Sequence, residues 1–440
     1  MTSLSTSFTL PCGVTLGNRI AKAAMTEGLA DPYSRATGRL ATLYQTWAKG
    51  GSGLLLTGNV MMDRRFMEAP GNVAIDGPQD ADQMKALSAW AKAATDENCH
   101  IWPQLSHAGR QVPKTVSPEP VGPSASTLAI PGGQFAPSRA LTVAEIEDII
   151  ARFANAARVS KEAGFTGVQI HGAHGYLLSS FLNPRVNQRD DEWGGSLENR
   201  ARLLIRTVRA VREAVGPSFP VAVKLNSSDF QKGGFTLEEC VEVVRWLNDE
   251  GLDLLEISGG NYEQPKLLDI EGLEPAEEAP GLGVATGEKD TRQESTKQRE
   301  GYFLAYAEAV RKVAQMPLMV TGGFRSRDVM EGALAAGTLD MVGLGRPLCV
   351  EPDIVARLLG GEVTTAPSWE KSLRMGPGPF GPNSPLKTVR VINAFGAQTY
   401  FYVNIARMGD GLAPKKQMAL FPAFLGYQSG EQKKAKRLVR

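Results

Sequence analysis

The sequence predicts a (β/α)8 TIM barrel, on three observations. Eight apolar runs of strand length recur along the chain, a helical pattern follows each of them, and polar residues collect where the runs end. Near-continuous apolar strands signal a parallel sheet covered on both faces. Eight such units in about 340 residues fit a closed barrel with long loops better than the runner-up, a doubly wound sheet.

In chain order the runs are IAKAAM (20–25), GLLLTG (53–58), IWPQLS (101–106), GVQIHG (167–172), VAVKLN (221–226), LLEISG (254–259), LMVTGG (318–323) and MVGLGR (341–346). Helical periodicity is expected at about 36–49, 79–95, 142–163, 196–215, 236–250, 300–315, 326–337 and 350–359. Before the first strand, FTLPCGVTLGNR reads as a short N-terminal hairpin closing the barrel bottom. Two loops exceed the ~15 residues beyond which a loop tends to carry function. One is 107–141, rich in Pro, Ser and Gly; the other is 260–299, with EGLEPAEEAPGLG. The barrel pattern ends near residue 360. The expected division is a barrel over 1–360 and a C-terminal helical extension over 361–440, made of a Pro/Gly linker, a helix at about 388–408 and a solvated or frayed tail, EQKKAKRLVR.

Bulk composition excludes several classes of function. The 440 residues carry a net charge of +1, which gives no bias toward nucleic acid or membrane. No apolar run reaches the ~18 residues of a span, and MTSLSTSFTL lacks the regions of a signal peptide. The expectation is a cytoplasmic protein acting on a small molecule, with no nucleic-acid or membrane partner and room for homo-oligomerisation. Cys12, Cys99, Cys240 and Cys349 lie far apart without a CxxC, which argues against zinc, an iron–sulfur cluster or a disulfide framework.

Polar residues at the strand ends include Thr26, Asn59, Gln104, His171, Asn226 and Arg346. A barrel builds its active site there. The densest cluster lies in the stretch from Gly167 to Arg200, where a buried strand breaks at Gly172 and Gly175 around His171, His174 and Tyr176. The charged segment behind it turns at Gly194-Gly195 into a helix with Ser196 as N-cap. On residue chemistry alone the two histidines are metal ligands, hydrogen-bond donors to a substrate oxygen, or caps of the strand. Tyr176 is either packing or a proton donor. His107 reads as structural, His100 as carrying nothing, and Asp190, Asp191 and Glu192 as a solvated face.

The last two strands carry a phosphate signal. TGGFRSRD (321–328) ends in glycines and opens a helix at Ser326; VGLGRPL (342–348) ends in Gly345-Arg346. Backbone N–H groups, a helix N-terminus and a cation at this end of a barrel bind phosphate. The stretch Gly376-Pro-Gly-Pro-Phe-Gly381 fits G-x-G-x-x-G, but it follows no strand, opens no helix, and loses two donors to proline. It is read as a chance match.

With these residues assembled, the chain resembles the old yellow enzyme family of flavin-dependent oxidoreductases over about residues 5–360. The marks are HGAHGYLLSSFLNPRVNQRDDEWGGSLENR, PQLSHAGRQ, NRIAKAAMTEG and TGGF with GLGRPL. The resemblance implies a barrel that binds FMN without a covalent link and takes hydride from NAD(P)H. It implies Ala24, Met25 and Thr26 under the flavin, with Thr26 donating to O4. It implies Gly58 beside the ring, Gln104 on the pyrimidine edge, and Gly322, Gly323, Gly345 and Arg346 on the phosphate. His171 and His174 would hold the substrate oxygen and Tyr176 would supply a proton, in an ene-reductase that passes hydride through the flavin to the β-carbon of enones, enals and nitroalkenes. No metal is implied. The alternatives are a flavin demethylase or oxidase on the same barrel, or a non-catalytic flavin-binding protein.

Three positions depart from the family pattern. Lys224 stands where arginine is frequent, keeping the charge but losing the planar fork. Ala24 replaces a frequent proline. Gly28 replaces a substrate-contacting tyrosine of one branch, which leads us to expect a more open pocket.

Overall fold

The computed structural model describes residues 3–128, 130, 133–263, 303–382 and 384–439. Eight parallel strands close into a barrel: β1 (Ile20–Lys22), β2 (Leu54–Met61), β3 (His100–Ser106), β4 (Val168–Gly172), β5 (Val221–Asn226), β6 (Leu254–Ser258), β7 (Leu318–Thr321) and β8 (Met341–Leu344). Each pairs with the next, and β8 closes on β1 through Val342 opposite Ile20. Around them run α1 (Gly38–Lys49), α2 (Ala81–Thr95), α3 (Val143–Glu162), α4 (Leu197–Val215), α5 (Leu237–Leu247), α6 (Leu304–Arg311), α7 (Arg327–Ala335) and α8 (Ile354–Leu359). Three starts are fixed by reciprocal capping boxes, Asp80 with Gln83, Thr142 with Glu145 and Thr236 with Glu239. Ser196 accepts from the Asn199 N–H and begins α4 as expected.

Inward residues fill the barrel in layers. The lowest is apolar: Leu54, Leu56, Trp102, Ala222, Leu254 and Met341, with Leu10 and Leu16 of the hairpin Phe8–Thr9/Thr15–Leu16 plugging it from below. Gly167 allows Trp102 its place, since a Cβ there would lie 2.5 Å from the indole nitrogen. His100 has a role after all. It opens β3, and its Nε2 meets the Thr15 carbonyl at 3.1 Å, tying the hairpin to the barrel. The next layer up is polar and forms the floor of the site.

Two strand boundaries differ from expectation. The first strand stops at Lys22, and residues 23–26 run on as extended chain along the mouth. The second continues to Met61, with a register shift between Leu56 and Asn59. At that shift the Gly58 N–H donates to Glu27 at 2.8 Å instead of to a neighbouring strand. The long loop 107–141 carries its own short pairing, Val121–Gly122 with Arg139–Ala140. Most of the loop expected at 260–299 lies outside the described residues.

The chain after residue 360 packs on the barrel. Helices α9 (Lys387–Gly409) and α10 (Leu420–Arg437) place Tyr400, Phe401, Ile405, Met408 and Leu420 in the same apolar cluster as the barrel helices. Of the expected solvated or frayed tail, only the fraying is corrected. Helix α10 runs to Arg437, Lys434 Nζ donates to the Gly28 carbonyl at 2.8 Å, and the Val439 N–H donates to that of Pro32 at 2.8 Å. The cause is the aromatic face of α9: Tyr427 stacks on Tyr402 with centroids 5.3 Å apart and planes 6° from parallel. Among the described residues no helix is long and apolar enough to cross a membrane.

Candidate active site

A cavity of about 850 Å³ opens at the C-terminal ends of the strands. The strand ends converge on it by alternation: in β4 Gln169 and His171 point inward, in β5 Lys224 and Asn226, in β6 Glu256 and Ser258. The floor is one buried polar chain. Gln104 Nε2 donates to Gln169 Oε1 at 2.7 Å, and Gln169 Nε2 donates to Glu256 Oε2 at 2.7 Å. Lys224 Nζ lies 3.0 Å from Glu256 Oε1, with both side chains buried.

Above the floor stand His171, His174 and Tyr176. The His171 ring is edge-on to both others, with centroids 5.1 Å from His174 and 4.8 Å from Tyr176. His171 Nδ1 accepts from the Ala173 N–H at 3.3 Å, which leaves Nε2 as the protonated nitrogen. His174 sits at φ +62°, in the left-handed region, with its N–H donating to Asn226 Oδ1 at 3.2 Å. Its Nε2 is held by Ser258 Oγ at 2.7 Å. Burial, then His174 and Lys224, pushes His171 well below the usual imidazole range; burial and then Lys224 does the same to His174. Both rings are therefore neutral at pH 7, and a neutral ring can donate without becoming an acid. Among the described residues no group of three or more His, Cys, Asp or Glu could hold a metal ion.

Tyr176 is 4% exposed. Its hydroxyl meets that of Tyr262 at 2.9 Å, and Tyr262 in turn donates to Glu68 Oε1 at 3.4 Å. Burial, followed by the Glu68 charge, raises the Tyr176 phenol well above its usual range. Glu68 also receives Thr26 Oγ1 at 3.0 Å and Asn59 Nδ2 at 2.5 Å. The Thr26 hydroxyl thus points at Glu68, so donation to a flavin oxygen requires the hydroxyl to turn.

At the other end Gly322 (φ +119°) and Gly323 (φ +84°) follow β7, and Gly345-Arg346 follow β8. All four line the cavity with Ala24 and Met25. Between them stands an unexpected acid. Glu370, in the turn Trp369–Ser372, lies 2.7 Å from Arg325 Nη2 and 3.6 Å from Arg346 Nη1. Burial opposes its charge, but Arg346 and Arg325 outweigh burial and hold the carboxyl below its usual range.

Of the residues singled out in the sequence, Gly58 is not brought to the cavity. A Cβ there would lie 2.5 Å from the Met25 carbonyl, so the glycine lets β2 approach the 25–27 segment from behind. His107 is structural as expected, with Nδ1 accepting from the Gly109 N–H at 3.1 Å. Asp191 pairs with Arg189 at 2.5 Å and caps the Trp193 N–H. The G-x-G-x-x-G stretch is a turn pinned by Asn393, whose Nδ2 donates to the Phe380 carbonyl at 2.9 Å. Gly28 does not line the cavity; α9 supplies one wall of it with Asn393, Ala397, Gln398, Phe401 and Tyr402.

Sequence reasoning missed Gln169, Glu256, Ser258, Glu68, Tyr262 and Glu370. The first three carried a signal, since polar residues spaced by two inside apolar strands mark the inner face of a barrel.

Comparison with known proteins agrees with this layout. A family model described as NADH:flavin oxidoreductase / NADH oxidase matches residues 8–363. The NADH-dependent flavin oxidoreductase iliE of Hypocrea jecorina is 37% identical over 364 residues, covering 79% of this chain and 86% of that protein. Among solved structures, an old yellow enzyme homologue from Zymomonas mobilis superposes with a TM-score of 0.67 at 26% identity, covering 83% of this chain and 94% of that one. A 2-naphthoyl-CoA reductase in complex with 2-naphthoyl-CoA superposes at 0.73 with 25% identity. That match covers 93% of this chain but only 57% of the other.

Proposed function

The chain belongs to the NADH:flavin oxidoreductase / NADH oxidase family, and from that premise we propose that it reduces activated alkenes, with Tyr176 as the proton donor. Its cofactors are FMN and NAD(P)H, as in the family. FMN, when bound, supplies the hydride chemistry.

The residues present fit an FMN molecule. Glycine backbone and Arg346 at one end suit a phosphate, and the nearby Glu370 opposes it. Gln104 and Lys224 at the other end suit the polar edge of a flavin ring. We place Ala24, Met25 and Thr26 along the ring, and leave Gly58 out.

His171 is the donor to the substrate's carbonyl or nitro oxygen, through its Nε2–H. A neutral imidazole aimed at that oxygen stabilises negative charge as it develops there. Ser258 holds His174 by Nε2, so His174 orients its neighbour and reaches the substrate through its remaining nitrogen. Tyr176 then protonates the α-carbon. The observation that carries the reading is the joint placement of His171, His174 and Tyr176 in one cavity with a phenol that stays protonated to high pH.

Tyr176→Phe tests it. The ring and its packing remain; the proton is lost. Stopped-flow flavin reduction by NADH is expected near normal, while reoxidation by an enone slows at least about tenfold. The loss should be smallest for nitroalkenes, whose nitronate can be protonated by water. Equal slowing of both half-reactions would assign Tyr176 a structural role.

A further inference from the structure

The geometry points to a proton-supply line for Tyr176: Tyr262 and Glu68 hand it protons from water between turnovers. This rests on the reading of Tyr176 as the proton donor. A buried phenol that spends its proton each cycle must regain one. Tyr176 is 4% exposed, whereas Tyr262 and Glu68 are both partly exposed. The hydroxyls of Tyr176 and Tyr262 are 2.9 Å apart, and Tyr262 reaches Glu68 at 3.4 Å. The three residues come from different places: the end of β4, the loop after β6 and the loop after β2. No local sequence constraint brings them together.

The other charged and titratable groups around the line leave its direction unchanged. His171 and His174 are neutral and face Tyr176 from the cavity side. Lys224 is committed to Glu256 and Arg110 to Glu263. Tyr402 and Tyr427 stack on each other in the extension, and Glu431 pairs with Lys434. Glu68 is the solvent end of the line. Its charge raises both phenols, after burial.

The step balances without any redox change. The Tyr176 O–H bond breaks as the proton goes to the substrate carbon. Glu68 takes a proton from a hydronium ion in solvent, which leaves as water; Glu68 passes that proton to the Tyr262 oxygen as Tyr262 gives its own to the Tyr176 oxygen, and Glu68 returns to its starting state. One proton moves in and one is consumed. Glu68 disfavours a phenolate beside it, so the line refills instead of resting half-empty. Tyr262 and Glu68 are positioning residues that act through Tyr176.

A line of this kind leaves the first turnover intact and slows the next. In Tyr262→Phe, alkene-dependent reoxidation should be near normal in a first turnover and slowed about tenfold in the second, measured by double-mixing stopped flow. Imidazole or formate buffer should restore the second. In the Tyr176→Phe background, adding Tyr262→Phe should change nothing further. Glu68→Gln should lower the pH at which tyrosinate absorbance appears, a readout independent of turnover. Slowing of the first turnover as much as the second, or no slowing of either, overturns the line while leaving Tyr176 as donor. A normal first turnover in Tyr176→Phe overturns both.

Discussion

Lys224 Nζ lies 3.0 Å from Glu256 Oε1, between neighbouring strands, with both side chains buried. Two unit charges in that layer are tolerable only together. Gln169 supplies the remaining hydrogen bond to the carboxylate and links it to Gln104.

Breaking this pair should cost more than deleting it. Glu256→Gln leaves a buried ammonium uncompensated, an effect on the order of 3–5 kcal/mol. Lys224→Met/Glu256→Leu together should recover most of the loss. Urea denaturation of the three variants measures this. A double variant no more stable than Glu256→Gln would show that the pair contributes net stability and not compensation alone.

Arg346 and Glu370 should act on FMN retention with opposite sign. Arg346→Ala removes a charge-assisted contact worth about 1.5–3 kcal/mol, roughly 10- to 150-fold in affinity. Glu370→Gln removes an anion from the end of the cavity where we place the phosphate, and should tighten binding several-fold. Flavin fluorescence titration reads both. Weaker binding in Glu370→Gln would mean that the carboxylate instead positions Arg325 and Arg346.

Stability should fall in mild acid. Burial pushes His107 down to about 4. Its folded value lies below its unfolded one, so the unfolded chain binds more protons between about pH 6.5 and 4. The contribution is full above about 6.5 and is lost as pH drops, by about 2–3 kcal/mol at pH 4.5. His171 and His174 add with the same sign. Denaturation midpoints at pH 7.5 and 4.5 should diverge less in His107→Gln than in the wild type. Equal divergence would locate the acid sensitivity elsewhere.

The wall contributed by the extension should set substrate size. Tyr402 lines the cavity and is braced by Tyr427. Tyr402→Ala should lower KM for bulky cyclic enones relative to small ones, with flavin reduction by NADH unchanged. An unchanged ratio across a substrate series would place the substrate away from α9.

The barrel was legible because its strands are apolar, a helical pattern follows each of them, and polar residues collect where they end. His171 and Tyr176 were legible because local sequence alone brings them to one strand end. Gly58 was misplaced for a related reason. Its position at a strand end says nothing about which side of the strand it serves, and the Glu27 carboxylate that claims its N–H lies 31 residues away. The extension could not be placed. Tyr402 lines the same cavity as His171 and Tyr176 from a helix far along the chain, and neither its helical pattern nor the linker encodes that partner. Glu68 and Glu370 carried no signal in the sequence; the fold sets one beside phenols and the other between arginines.

The left-handed backbone at His174 has a consequence for how this site can change. Among polar side chains, Asn, Asp and His enter that conformation most readily, and of these the neutral donors are Asn and His. Random variation at position 174 would therefore be sorted by the peptide unit before any substrate is met. Most replacements would be lost to backbone strain, and of those the backbone accepts, Gly and Asp bring no side-chain donor, which leaves Asn as the replacement that can still donate a hydrogen bond. The turn after β4 thus leaves a very small alphabet at this position, so changes in what the cavity accepts must come from the residues around it.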